Sequence, residues 1–252
     1  KNFFSAGGAA LSKEIEEFFF AAGLLVCQGY GLSETSPVIT CNRPAEFKFG
    51  TVGKVIADTE IKINEHGEIL TRGGNLMQGY YKKPEETAKA IVDGWLHTGD
   101  VGEIDSEGYL RITDRIKDIM ITAQGKNLSP QRIESIVGMD HYIEQVMAVG
   151  EKRPYVTGLV VPNFIALEEY ARDKGISWTS KEDLVARPEI IEFYKARIEA
   201  ASVELAGYER IKRFKIMPNE FSQEGGELTP TLKMKRRLVS DKYKAVIDEL
   251  YA

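Results

Sequence analysis

Long hydrophobic runs are missing from this 252-residue sequence. Because no stretch of about 20 apolar residues is present, no segment is predicted to cross a membrane as a helix. The first residues also lack the apolar core of a signal peptide, since Phe3 and Phe4 run directly into Ser5-Ala6-Gly7-Gly8. The sequence therefore disfavours the integral-membrane and secreted classes.

Cysteine and net charge are scarce as well. Cys27 and Cys41 are the only cysteines, too few for a disulfide framework, so we expect a reducing compartment and a cytoplasmic location. The 33 basic and 38 acidic residues give a net charge of -5, whereas nucleic-acid-binding domains usually carry a basic face. Hydrophobic residues make up 43% of the chain, which is ordinary for a globular protein with a core.

Two common nucleotide-binding signals are absent. No Walker-type phosphate loop occurs, and Gly29-x-Gly31 is followed by Glu34 where a dinucleotide fingerprint needs a third glycine. The sequence also has no initiator Met and starts close to a strand-like segment. We therefore expect a piece of a longer protein.

The first half of the chain changes texture near residue 50. Residues 1–45 are predicted to form a strand, a helix that ends at Gly23, and a buried strand over 24–27. Residues 50–115 are mostly strand, with hairpins at the turns 65–67 and 105–108 and one helix over 84–92. This second stretch resembles a small distorted β-barrel.

Residues 118–252 mix helices and strands in an α+β pattern. Ser129-Pro130 is a good helix start, because Ser caps a helix well and Pro suits the first helical position. Strands are predicted over 146–150 and 157–161. Further helices are predicted over 164–174, 181–186, 188–206 and 238–250.

Gln28-Gly29-Tyr30-Gly31-Leu32-Ser33-Glu34-Thr35 is the first motif that suggests chemistry. Glycines at a strand end let a ligand approach the backbone closely, and a Tyr between them can lie against a flat base. A hydroxyl beside a carboxylate suits a phosphate and its Mg²⁺. Taken alone, a solvent-facing turn with a core Tyr explains the motif better.

The second motif is Gly94-Trp95-Leu96-His97-Thr98-Gly99-Asp100. An Asp after a small turn can bind two ribose hydroxyls, as acidic residues do in other nucleotide sites. The alternative is a turn Asp that caps its own backbone.

The third motif, Thr113-Asp114-Arg115-Ile116-Lys117-Asp118, lies where strand-rich texture gives way to α+β texture. Its four charged residues suit a solvated linker, and they also suit a hinge whose Arg reaches a nucleotide.

The fourth motif runs from Leu228 to Arg237 and contains Thr231 and Lys233. A Lys on a loop can neutralise charge on a phosphate. The alternative is a basic, solvated surface run ahead of the last helix.

The order of these four motifs resembles the signature series of adenylate-forming enzymes, which include acyl-CoA synthetases, luciferases and peptide-synthetase adenylation domains. Supporting stretches, among them 5–9, 50–53, 77–81 and 125–130, extend the resemblance over essentially the whole chain. It implies an α/β plus α+β fold. Residues 1–116 would form the C-terminal part of the large AMP-binding domain, with a sheet edge and a distorted β-barrel. Residues 117–252 would form a small, mobile C-terminal lid domain.

The resemblance also implies a role for each motif residue. Glu34 would hold Mg²⁺ and act with Lys233, the catalytic lysine of adenylation. Lys117 would be the hinge, and Gly125 would lie on the coenzyme A side. The implied nucleotide-binding residues are Gly8, Ala9, Tyr30, Gly31, Ser33, Asp100 and Arg115.

The implied reaction joins a fatty acid to ATP and then to coenzyme A, with acyl-AMP as intermediate. Several stretches resemble the corresponding sequences of long-chain fatty acyl-CoA synthetases, namely residues 79–84, 153–162, 228–231 and the helical region 177–206. Partners would be small molecules, with no nucleic acid. Peripheral membrane contact is a further implication of the family, although no basic amphipathic helix here supports it.

Two rival functions stay open, and one part of the machinery is missing. A fatty acyl-AMP ligase would stop at the adenylate, and a non-catalytic nucleotide-binding module would do no chemistry. The phosphate-gripping loop of the family is absent here, so we expect the fragment to be inactive alone. Ala123-Gln124-Gly125 stands where many relatives carry a Gly-Gly pair, which weakens the coenzyme A assignment.

Overall fold

The chain folds as two compact units, Lys1–Lys117 and Asp118–Ala252. The computed structural model describes residues 3–9, 11–230 and 232–252. Within these ranges no helix is both long and apolar enough to cross a bilayer.

A four-stranded sheet opens the N-terminal unit. Strand β1 runs parallel to β2, and the antiparallel strands β3 and β4 follow, so that the order is β1-β2-β3-β4. Helix α1 connects β1 to β2 and begins where the Ser12 side chain accepts the Ile15 N–H. The elements are β1 (Phe4–Ala6), α1 (Lys13–Ala21), β2 (Val26–Gly31), β3 (Val38–Cys41) and β4 (Lys54–Val55).

A second sheet of five strands forms the rest of this unit. Its strand order is β5-β6-β8-β7, and β9 also pairs with β8. All its pairings are antiparallel. The elements are β5 (Thr59–Ile63), β6 (Glu68–Gly73), α2 (Pro84–Ala90), β7 (Ile91–Val92), β8 (Trp95–Ile104) and β9 (Leu110–Arg115).

Three strands of the N-terminal unit are longer or later than the sequence indicated. Strand β2 begins at Val26 and contains Gln28 to Gly31 of the first glycine motif, which was expected to follow a strand ending at Cys27. Strand β8 starts at Trp95, so the second motif is strand rather than turn. Strand β9 extends through Arg115, so the start of the expected linker is a paired strand. Pairing with neighbours, which local patterns do not report, extends each strand.

The C-terminal unit is an α+β structure, as predicted. A small antiparallel pair, β10 and β11, precedes a three-stranded sheet in which β12 is antiparallel and β14 parallel to the central strand β13. Its strands are β10 (Met120–Ile121), β11 (Asn127–Leu128), β12 (Ile143–Val149), β13 (Val156–Pro162) and β14 (Ile211–Ile216). Its helices are α3 (Pro130–Val137), α4 (Phe164–Asp173), α5 (Lys181–Ala186), α6 (Pro188–Ala201), α7 (Arg236–Lys242) and α8 (Lys244–Glu249).

The core of the C-terminal unit surrounds β13, whose residues are all buried. This explains why its sequence is mostly apolar rather than alternating, with Thr157 as its one polar side chain. Strand β14 was missed from the sequence because three of its six residues are Lys or Arg, and only Ile211 and Ile216 are fully buried.

The last predicted helix, over 238–250, is wrong in detail. The structure has two short helices, α7 and α8, separated at Tyr243. Tyr243 leaves the helical conformation, and its hydroxyl lies 3.4 Å from a carboxylate oxygen of Glu227. The predicted helix over 188–206 likewise ends earlier, at Ala201, where a short 3₁₀ turn follows.

The hairpin turn between β8 and β9 is held by Asp105. Its Oδ1 accepts the N–H groups of Glu107 and Tyr109, each at 2.9 Å, and Lys48 Nζ lies 2.8 Å from Oδ2. The Lys48 ammonium, helped by the Tyr109 amide, lowers the pKa of Asp105 to about 2. A carboxyl with a lowered folded-state pKa adds stability above its unfolded pKa, and this stability is lost as the pH falls through the folded value.

We therefore expect Asp105→Asn to lower the melting temperature of the chain at pH 7. Asn keeps an oxygen for the two amides but loses the charge that attracts Lys48. The difference from wild type should shrink as the pH falls from about 4 toward about 2. Thermal unfolding followed by circular dichroism across this range is the measurement. Asp241→Asn, at an exposed position of α7, is the matched control. An Asp105→Asn effect that is the same at every pH would contradict the assignment.

Candidate functional site

A buried carboxylate, Asp100, joins two strands of the second sheet to β2 of the first. Asp100 is only 3% exposed, and both of its oxygens have partners. The Tyr30 hydroxyl donates to Oδ2 at 2.6 Å, and Arg115 Nε lies 2.9 Å from Oδ1. Asp100 and Arg115 are directly paired across β8 and β9. The structure thus brings together three residues that the sequence predicted for a nucleotide site.

Burial keeps the Tyr30 hydroxyl neutral. Burial in the first place, and then the neighbouring Asp100 charge, raise the pKa of Tyr30. A neutral phenol can donate a hydrogen bond to the carboxylate, and the positive charge of the Arg115 guanidinium balances the negative charge of the carboxylate. Arg115 has about half of its side chain exposed. The cluster therefore presents a guanidinium to solvent, which suits a ribose or phosphate ligand.

A second buried carboxylate, that of Glu68, stabilises the backbone next to this cluster. Glu68, on β6, accepts the Gly99 N–H at 3.1 Å and lies 2.8 Å from His97 Nδ1. Gly99 has a φ of +71°, a conformation that side chains with a Cβ rarely adopt. Glu68 thus holds the irregular backbone just before Asp100. Glu68 was not among the predicted site residues. A Glu that follows the predicted 65–67 turn matches no sequence motif. Only the pairing of β6 with β8 brings it to Gly99.

Glu34 lies in a short 3₁₀ turn, Ser33–Thr35, directly after β2. The Tyr80 hydroxyl donates to Glu34 Oε1 at 2.9 Å, and the Met77 N–H donates to the Glu34 carbonyl at 2.8 Å. The hydrogen bond to Glu34 raises the pKa of Tyr80. The segment around Tyr80 therefore orients the carboxylate. The sequence analysis placed Tyr80 only in a supporting stretch and gave it no role.

Tight backbone packing explains the glycine at the end of β2. A Cβ on Gly31 would lie 1.6 Å from the carbonyl oxygen of Pro37. Only glycine lets β2 and β3 approach so closely, and this approach sets the chain direction into the turn that carries Ser33 and Glu34. Ser33 itself is exposed.

Gly8 and Ala9 follow β1, on the same sheet edge as Tyr30. The parallel register pairs Ala6 with Gln28, so the residues after β1 run beside Gly29 and Tyr30. A Cβ on Gly7 would lie 3.4 Å from the Gly29 carbonyl oxygen, which shows how close the two segments are. Gly8 has a φ of +82° and is exposed, as is Ala9. Their position at the carboxyl end of parallel strands suits a ligand contact.

The remaining predicted residues lie at or beyond the boundary of the two units. Lys117 is the last residue of the first unit. Gly125 lies in the exposed turn between β10 and β11, with a φ of +75°. Lys233 is exposed on a separate loop of the C-terminal unit. Thr231, which belongs to the predicted lysine motif, lies outside the described residues.

The oxygen donors near Glu34 fit a magnesium ion that is shared with a phosphate. Mg²⁺ prefers carboxylate and hydroxyl oxygens and usually keeps only one or two protein carboxylates beside substrate phosphates. In the described part of the chain no group of three or more His, Cys, Asp or Glu residues could hold a metal alone. Glu34 with the Ser33 hydroxyl therefore suits a site that a nucleotide completes.

Two stretches of the chain match known protein families. Residues 1–81 match the family described as AMP-binding enzyme, and residues 117–252 match the AMP-binding enzyme C-terminal domain. Both Tyr30 and Glu34 fall within the first match, and Gly125 and Lys233 fall within the second.

The chain also has curated relatives. It is 43% identical over 249 residues to a Mycobacterium tuberculosis protein named fatty-acid–CoA ligase fadD11, across 98% of this chain and 43% of that protein. It is 36% identical over 247 residues to long-chain-fatty-acid–CoA ligase FadD15 of the same species, across 98% of this chain and 41% of the relative. The chain spans about two fifths of the length of these relatives.

Solved structures share the fold. The adenylation domain of a carboxylate reductase from Mycobacterium chelonae matches with a TM-score of 0.78 and 23% identity, over 98% of this chain and 38% of that chain. This likeness confirms the predicted α/β plus α+β fold class.

The Tyr30–Asp100 hydrogen bond should stabilise the N-terminal unit. Tyr30→Phe keeps the ring but removes the donor to a buried carboxylate. We expect it to lower the free energy of unfolding by about 1–3 kcal/mol. Urea denaturation of the chain is the measurement. Tyr81→Phe is the matched control, because Tyr81 is 85% exposed and should change stability little. Equal stability of the two variants would show that the bond contributes nothing.

Proposed function

The chain belongs to the AMP-binding enzyme family, and from this premise we propose that it is the C-terminal portion of a long-chain fatty-acid–CoA ligase. The observation that carries the proposal is the cluster of Tyr30, Asp100 and Arg115, in which an aromatic hydroxyl and a guanidinium both contact one buried carboxylate. The names of the relatives support the choice of a fatty acid and coenzyme A as substrates.

The proposed reaction has two steps. In the first, a carboxylate oxygen of the fatty acid attacks the α-phosphorus of ATP, and pyrophosphate leaves to give acyl-AMP. In the second, the thiol of coenzyme A loses its proton, the sulfur attacks the acyl carbon, and AMP leaves. The acyl–oxygen bond to AMP is replaced by a thioester.

The residues of the N-terminal unit would bind and orient the nucleotide. Asp100 would accept hydrogen bonds from the ribose hydroxyls, and Arg115 would contact ribose or phosphate. Tyr30, with Gly8, Ala9 and Gly31, would form the adenine side of the pocket. Each of these groups lies at the carboxyl edge of β1 and β2 or on the adjoining β8–β9 pair, where an open sheet receives ligands.

Glu34 and Ser33 would bind the phosphate end of the nucleotide. A bound Mg²⁺ would neutralise phosphate charge, and Glu34, already oriented by Tyr80, is the carboxylate suited to hold it. The Ser33 hydroxyl is exposed beside it and would donate to a phosphate oxygen.

The residues of the C-terminal unit would act one after the other in the two steps of the reaction. Lys233 would stabilise the negative charge that grows as the acyl carboxylate attacks the α-phosphate. Residues 117–252 would form the mobile lid domain, with Lys117 as its hinge. The lid would then present the segment near Gly125 to coenzyme A. The fragment alone is proposed to be inactive, and thioester formation by residues 1–252 in a steady-state assay would overturn that part.

The decisive test compares the two half-reactions in the full-length protein. We expect Lys233→Ala to slow pyrophosphate release from palmitate and ATP by roughly 100-fold or more, because one charge-stabilising donor is lost. Conversion of supplied palmitoyl-AMP and coenzyme A to the thioester should be nearly unchanged. Lys215→Ala, at an exposed position of β14, is the matched control.

The same assay separates the rival functions. Pyrophosphate release by the wild-type protein without any thioester would indicate a fatty acyl-AMP ligase. Neither product across several chain lengths, together with nucleotide binding, would indicate a non-catalytic module. Equal loss of both half-reactions in Lys233→Ala would contradict the role given to this lysine.

A further inference from the structure

Lys233 lies on a short, hydrogen-bonded hairpin that we call the lysine hairpin, whose described residues are 228–230 and 232–234. Leu228 and Met234 form an antiparallel bridge. The Thr229 N–H donates to the Lys233 carbonyl at 2.8 Å, and the Lys233 N–H donates to Thr229 Oγ1 at 3.0 Å. These bonds fix the local shape of the hairpin. The Leu228 N–H also donates to the Ser222 carbonyl at 3.0 Å, and the Leu228 side chain is buried in the core.

Glu227 attaches the entry of the lysine hairpin. This residue is 3% exposed, and its carbonyl accepts the Lys235 N–H at 2.7 Å. Its carboxylate contacts Lys242 and accepts the Ser222 N–H at 3.2 Å. The first residue before the hairpin and the first residue after it are therefore tied together.

Arg236 attaches the exit of the lysine hairpin to the core. It begins α7, three residues after Lys233, and its guanidinium forms an ion pair with Glu134 of α3. A second guanidinium nitrogen lies 3.4 Å from the Ala148 carbonyl, and the Ala148 N–H donates to Glu134 Oε1 at 2.7 Å. Glu134 thus connects the hairpin to α3 and to the edge of β12 at once.

The mostly buried position of Glu134 makes its contact with Arg236 hard to replace. Its side chain is 16% exposed, so few water molecules can replace a lost partner. Burial raises the pKa of Glu134, and the Arg236 charge and the Ala148 amide oppose that rise. Arg236 offers a planar fork that reaches a carboxylate and a carbonyl together, which a Lys ammonium does not.

We propose that Glu134 is a positioning residue for Lys233, which it holds in place through Arg236 and the lysine hairpin. The catalytic consequence rests on the proposed function, whereas the mechanical part concerns the C-terminal unit alone. Neither the four motifs nor the resemblance assigned a role to Glu134.

The mechanical part is tested by hydrogen exchange on the full-length protein with Glu134→Gln. Gln keeps the size of the side chain but loses the charge that pairs with Arg236. We expect the amides of Thr229, Lys233 and Lys235 to exchange about 10-fold faster, while the amides of β13 stay protected. Arg236→Lys should give the same pattern. Glu169→Gln, at an exposed position of α4, is the control and should change none of these amides.

The catalytic part is tested by the two half-reactions. Because a small misplacement of a catalytic group is costly, Glu134→Gln should slow pyrophosphate release by roughly 10- to 100-fold. The conversion of supplied palmitoyl-AMP should be unchanged, which a general loss of folding would not allow. In a Lys233→Ala background, Glu134→Gln should add no further loss, because two residues that act through one group are not additive.

The outcomes separate this proposal from the proposed function. Unchanged exchange of the hairpin amides in both variants overturns it, and so does an equal loss of adenylation with and without Lys233. If the wild-type protein releases no pyrophosphate, the proposed function fails, and the exchange pattern alone decides whether Glu134 holds the hairpin.

Discussion

The buried carboxylate of Asp100 is the constraint on which the N-terminal unit depends. An ionised carboxyl at 3% exposure is tolerable only when both oxygens are satisfied, and Tyr30 and Arg115 do this from different strands. The requirement ties β2 to the β8–β9 pair, and Glu68 fixes the backbone just ahead of it. In the proposed function, this arrangement would also prepare a surface for a nucleotide, because the ring and the guanidinium that contact Asp100 are themselves suited to ligand contact.

The same principle recurs in the C-terminal unit. Glu134 and Glu227 are largely buried, and each finds a cation and a backbone amide as partners. Both are attached to the ends of the lysine hairpin rather than to the lysine itself. A charged group that must reach a substrate has to stay exposed, so its position can be controlled only through the backbone on either side. Buried ion pairs at the hairpin ends are well placed to give that control.

Much of this organisation was predictable from sequence, and the particulars show why. The helix start at Ser129 carries local capping signals, and the hairpins of the second sheet carry turn signals, so each was predicted correctly. Tyr30, Asp100 and Arg115 were identified through the order of the motifs. Strand β14 and the break at Tyr243 were missed, because one is stabilised by pairing and the other by a contact with Glu227. Glu68, Tyr80 and Glu134 were missed for the same reason, since their partners lie far away in sequence.

The amino-acid pattern was enough to identify the family, the kinds of side chain available for chemistry, and the starts and turns of many elements, since all of these depend on residues close together in the chain. Tertiary structure alone decided which groups meet. The β6–β8 pairing brings Glu68 to Gly99, and the packing of α3 beside β12 brings Glu134 to Arg236, 102 positions away. Such contacts form because a buried charge must find a partner within hydrogen-bond distance, and only the folded chain determines which partner is within reach.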